Sequence, residues 1–150
     1  MSMSMAQQPA KSFATASVTR ASAAALIEAA HASAKNIGIE VAVAVTDAGG
    51  HLKAFERPDG APFLTGEVAI DKAWTAASYG IATHTWNGYI SDPKVAPLAT
   101  VPRLMPVGGG NPVKEGGKLI GGIGVSGGTY QQDQEIAEAA LKALGCDLPE

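Results

Sequence analysis

Residues 121–128, GGIGVSGG, put Gly122, Gly124 and Gly127 at the G-x-G-x-x-G spacing of a dinucleotide-binding turn. The fold that uses such a turn needs a strand before it, a helix opening at it and a second, parallel strand after the helix. The first two are present in the pattern. Leu119, Ile120, Ile123 and Val125 make KLIGGIGV a strand. Thr129 and Gln132 form a T-x-x-Q capping box. Ile136, Ala140, Leu141 and Leu144 then recur at helical spacing, and Gly145 suits the helix end. Only CDLPE follows that helix, so the second strand has no residues and no βαβ unit is expected. The glycines instead predict a strand whose missing side chains let another part of the chain come close.

The rest of the chain predicts sequential hairpins. A helix is expected over Thr19–Asn36, with Ala23, Ile27, Ala30 and Ala34 on one face and Gly38 at its end. IEVAVAVTD is a continuous apolar run of strand length; AGG turns the chain and HLKAFER returns, less buried than its partner. PDGAP reads as a loop, and Thr65 as the cap of a second helix, GEVAIDKAWTAASYG, with Ile70, Ala73, Trp74 and Ala77 inward. THTWNGYI forms a short helix stopped at Asp92-Pro93, and the three prolines of residues 92–102 mark a loop. RLMPV reads as a short edge strand because of Pro106, and PVKEGGKLIGGIGV as a hairpin around Gly116-Gly117. The order gives an α+β fold, an antiparallel sheet of about five strands flanked by helices.

Composition narrows the function classes. One domain over residues 18–150 is expected, preceded by a disordered leader over 1–17. The net charge of −3 leaves no basic surplus to neutralise phosphates, which argues against nucleic acid as the partner. No apolar run is long enough to span a bilayer, and the N-terminal stretch does not read as a secretory signal. Cys146 is the only cysteine, which fits a reducing compartment; a cytoplasmic location is the expectation.

Few residues carry chemistry. His31 lies at the border of the first helix's buried stripe, one step from Ala30 and four from Ile27. A partly buried histidine with a local partner is the commoner outcome for such a position; a metal or haem-iron ligand is the functional one. Lys35 lies one turn further on the same side, placed to meet a haem propionate. His51 follows a tight turn, and His84 stands among Trp86 and Tyr89. No histidine pair has zinc-ligand spacing. Ser126 and Gly127, in SGGT before the last helix, could offer backbone amides to an anion; a glycine-lined turn explains them equally well.

Several segments together, VTDAGGHLKAFERPDGAP, AIDKAWTA, PVGGGNPV and GGKLIGGIGVSGGTYQQDQEIAEAA, resemble the GlcG/HbpS-like family of haem-associated proteins and the C-terminal domain of PduO-type proteins. The resemblance runs roughly from Val18 to Leu144. It implies a profilin-like sandwich, assembly into homo-oligomers, often octamers, and binding of haem or another tetrapyrrole, with haem degradation in some members. Asp47, Gly49, Gly50, Arg57, Asp59, Gly60, Lys72, Gly108, Gly109, Gly110 and Pro112 match its pattern. A first-helix histidine binds haem in some PduO-like relatives, and His31 lies in the comparable helix. The export signal of the secreted branch is absent from this sequence. The alternative is a catabolic enzyme for a small organic acid or carbonyl compound in the same pocket. There Arg57 or Lys72 would pair with a carboxylate, while His51 or His84 would move a proton. An oligomeric scaffold without turnover is a third reading.

Overall fold

The computed structural model describes residues 7–149. Its elements in order are α1 (Arg20–Asn36), β1 (Ala42–Asp47), β2 (Leu52–Glu56), α2 (Phe63–Tyr79), α3 (Thr83–Ile90), β3 (Gly110–Glu115), β4 (Lys118–Ser126) and α4 (Tyr130–Ala143). The strands form one antiparallel sheet in the order β2-β1-β4-β3, so the two hairpins sit side by side with β1 and β4 in the middle. Helix α2 lies on one face. Helices α1 and α4 cover the other, where Leu26, Ile27, Ala30, Ile136, Ala140 and Leu141 meet Val43, Val45, Ile123 and Val125. The α+β class is as expected. Among the described residues no helix is long and apolar enough to cross a membrane.

The glycines of β4 explain the α2 face. A Cβ on Gly122 would strike the backbone carbonyl of Ala73, and one on Gly124 the carbonyl of Ala69. The α2 side of the core is built almost wholly from small residues: Ala42 and Ala44 of β1 against Ala69 and Ala73 of α2. The helix thus rests directly on bare strand backbone, and the G-x-G-x-x-G spacing is a packing device. Gly127, at φ 149°, lies against Glu40 and Val41, just before β1.

Local signals set most element ends. The Thr19 hydroxyl accepts from Ser22 N–H at 3.1 Å and starts α1. Thr129 and Gln132 complete the expected capping box on α4. Two expectations need correction. The sheet has four strands, because RLMPV is not one of them. Its backbone is bonded by helix side chains instead: Met105 N–H donates to the Thr75 hydroxyl, Asn87 Nδ2 to Pro106 O, and the Thr83 hydroxyl to Val107 O. With its polar groups satisfied from α2 and α3, the segment has no need of a strand partner. Helix α2 also begins earlier than expected, at Phe63 after Pro62, which leaves Thr65 inside its first turn with its hydroxyl donating back to Pro62 O at 2.6 Å.

Residues 1–6 of the expected leader lie outside the described residues; residues 8–17 are exposed and belong to no helix or strand. The chain is fastened where Ser17 Oγ accepts from Ala48 N–H at 3.0 Å and Val18 N–H donates to Ile120 O at 2.8 Å. The other end is clasped too. After α4 the chain turns back, Asp147 N–H donates to Lys114 O, and the Asp147 carboxylate accepts from Gly116 and Gly117 N–H at the tip of the β3–β4 hairpin. Cys146 is held half-buried beneath this clasp.

Candidate functional site

Helix α1 seats its apolar stripe on the sheet, and His31 follows Ala30 around to the border of that stripe. The ring leans over the end of β2, an edge strand, where Nε2 comes within 2.9 Å of Glu56 Oε1. The His31 side chain is 22% exposed and that of Glu56 65%. Nε2 itself is sealed from solvent and faces that carboxylate. Lys35, one turn on, opens onto the same space. Together with Ala34, Gly38, Ile39, Glu40 and Pro58 these residues line a groove of about 420 Å³, within the range typical of small-molecule sites. Its walls are largely apolar, its polar groups are one imidazole, one ammonium and two carboxylates, and Lys35 makes no ion pair among the described residues.

The structure thus brings His31 and Lys35 together. It adds Glu56 and Glu40, which the sequence reading did not single out. Neither carries a local signal: Glu56 ends an alternating strand and Glu40 precedes another, and only the packing of α1 across the β1–β2 hairpin makes them neighbours of His31.

The other candidates lie elsewhere. Lys72 is 2% exposed; its ammonium donates to Val125 O at 2.9 Å and to Asp133 Oδ2 at 3.1 Å. Burial pushes the Lys72 pKa down, opposed by the charge of Asp133. Arg57 donates from Nη1 to Ala61 O at 2.5 Å, bracing the loop before α2. His51 is 83% exposed on the β1–β2 turn, with Nδ1 3.4 Å from Asp47 Oδ1. Partial burial raises the Asp47 carboxyl, but the amides of His51 and Gly49 together with the His51 side chain outweigh it and hold the group below its ordinary value. His84 sits half-buried in the first turn of α3, its Nδ1 buried without a partner. Ser126 ends β4, and two of the amides beyond it are in use: Gly128 N–H serves Asp133 Oδ1 and Thr129 N–H serves Gln132. None of Arg57, Lys72, His51, His84, Ser126 or Gly127 lines the His31 groove. Among the described residues no three His, Cys, Asp or Glu side chains converge as a cage for a metal ion.

Residues 18–142 match the family model described as haem degrading protein HbpS-like. The chain belongs to the HbpS-like family. It is similar to an uncharacterised 15.0 kDa protein from the dhaT-dhaS intergenic region of Citrobacter freundii, 35% identical over 87% of this chain and 94% of that protein. Protein GlcG of Escherichia coli K12 is 35% identical over 69% of this chain and 77% of its own length. Corrinoid adenosyltransferase PduO of Salmonella typhimurium is 34% identical over 79% of this chain, which spans only 36% of that longer protein. Among solved structures, a PduOC:heme complex superposes with a TM-score of 0.82 at 29% identity, covering 89% of this chain and 99% of that one. A double mutant of Streptomyces reticuli HbpS gives 0.84 at 28%, covering 97% and 99%. The four-stranded sheet with its helices on both faces is therefore the HbpS-like fold.

Proposed function

We propose that this HbpS-like chain binds a tetrapyrrole, haem in the first instance, in the groove between α1 and the end of β2. One observation carries the reading: His31 and Lys35, a turn apart on one helix, open onto a single groove with apolar walls. That is the donor set a haem needs from its protein, an axial nitrogen, a cation for a propionate and an apolar surface for the ring. The family description and the PduOC:heme complex support haem as the ligand. Bound haem would supply an iron centre for ligand binding or electron exchange. This chain would supply the His31 imidazole, the Lys35 counter-charge, and Ala34, Ile39 and Pro58 against the ring. Degradation of the bound group, an oxidative ring opening that consumes dioxygen, is the finer form of this reading, read as a steady loss of the haem band under a reductant in air.

The small-acid enzyme lacks comparable support. It needs a cation and a histidine around one substrate in the pocket, and none of Arg57, Lys72, His51 or His84 lines the groove. The reading extends to a homo-oligomer acting in the cytoplasm. The groove is open on one side, so a second copy could complete it, and the single half-buried thiol suits a reducing compartment.

Titration of the purified protein with haemin, followed by the Soret band, tests the site. A shifted band is expected, and His31→Ala should weaken binding at least tenfold, about 1.4 kcal/mol. His84→Ala should leave it unchanged. No shift in any form, or full binding by His31→Ala, would overturn the assignment.

A further inference from the structure

We infer that Glu56 is a gate on His31: its carboxylate stands where an iron would bind and must swing outward before the groove takes a metallated tetrapyrrole. The inference rests on the tetrapyrrole reading and assigns one more residue to it.

An imidazole has two nitrogens, and they are not equally open to a flat macrocycle. Nδ1 adjoins the ring carbon that carries the side chain, so a large planar ligand approaching it collides with the helix. Nε2, at the far end, is the nitrogen that can meet an iron. In this structure Nε2 is the covered one. It is closed to solvent and has Glu56 Oε1 2.9 Å away. An imidazole nitrogen that faces a carboxylate at this distance carries the ring's proton on that side, so the lone pair an iron needs is free only once the carboxylate has swung out and the proton has gone to Glu56 or to solvent. The one nitrogen able to ligate is thus capped by a movable side chain.

Glu56 is built to move. It is the last residue of an edge strand, its side chain is mostly exposed, and that side chain makes no other hydrogen bond or ion pair among the described residues. Rotation into solvent costs no core contact. Lys35 and Glu40 flank the same groove. The arrangement also discriminates. A metal-free tetrapyrrole has no centre to accept the imidazole lone pair and can lie on the apolar wall with Glu56 where it is. Only a metallated ring must open the gate.

The test compares wild type, Glu56→Ala and Glu56→Gln, each titrated with haemin and with metal-free protoporphyrin. Haemin should associate faster with Glu56→Ala and bind about three- to fivefold more tightly, the size of an exposed ion-pair contact removed. Protoporphyrin affinity should change by less than about twofold, and Glu56→Gln, which keeps the bulk, should fall between wild type and alanine for haemin. Equal tightening of both ligands would mean that only the charge of Glu56 matters, and would overturn the gate. Weaker haemin binding by Glu56→Ala would make Glu56 a support of the ring and overturn it too. Loss of the Soret shift in His31→Ala with no change in Glu56→Ala would remove the gate and leave the site standing. No shift in wild type, Glu56→Ala or Glu56→Gln would remove both.

Discussion

Lys72 shows how a single residue changes meaning between sequence and fold. On an amphipathic helix it reads as a cation free to meet an acidic ligand. In the structure it crosses the end of the sheet to Asp133, 61 positions away, and ties the α2 layer to the α4 layer. No local pattern reveals such a pairing. Removing one partner of a buried pair strands the other, so Lys72→Met should cost about 3–5 kcal/mol, measured by urea unfolding. Adding Asp133→Ala should recover part of that loss, which a double-mutant cycle would read. The pH dependence has a definite sign. Burial holds the folded-state pKa of Lys72 below the ordinary 10.5, so between the two values the unfolded chain binds more protons. The Lys72 contribution to stability therefore rises as pH climbs through that window and is least favourable below it. The stability difference between wild type and Lys72→Met should shift toward wild type from neutral to alkaline pH. His31 was easier to read, because its place at the border of the helical stripe is written in the spacing of Ile27, Ala30 and Ala34.

At the scale of elements, strand β4 and helix α2 are one unit. Gly124 has no room for a Cβ because the Ala69 carbonyl occupies the place, so Gly124→Ala must lift α2 and should cost about 1–3 kcal/mol or more. Gly88 in α3 is the opposite case: a Cβ there meets nothing within 4 Å. Gly88→Ala should stabilise the chain by up to about 1 kcal/mol. Urea denaturation of the two variants tests whether the glycines differ in sign. The two hairpins and all four helices were legible because turn glycines and apolar periodicity mark them locally. RLMPV was misread for the converse reason. Its composition suits a strand, but what decides its state is Thr75, Thr83 and Asn87 reaching in from distant helices.

Over the whole molecule, the β2 side is the least finished surface. Leu52 and Phe55 on the edge strand and Phe63 and Leu64 at the start of α2 are exposed. An apolar surface of this kind marks an interface more often than bare solvent contact. Sedimentation at micromolar concentration should show an assembly larger than the monomer, and Phe55→Ser with Phe63→Ser should return it toward a single chain. A monomer for the wild type would overturn that expectation. The candidate site was half legible on the same grounds: His31 and Lys35 belong to one helix, whereas Glu56 and Glu40 join them only through tertiary packing.

The clasp of Asp147 over the β3–β4 turn makes Cys146 a clock for the far end of the molecule. Burial raises the thiol pKa, and the neighbouring charges of Glu115 and Asp147 raise it further. Little thiolate is therefore present at neutral pH, and alkylation should run slowly while the tail is docked. Asp147→Ala releases the tail and also lifts one of the charges that hold the thiol protonated, so iodoacetamide labelling should quicken on both counts without global unfolding. The labelling rate of one sulfur atom thus counts how often the chain's last turn comes loose, in the intact protein and without an added probe.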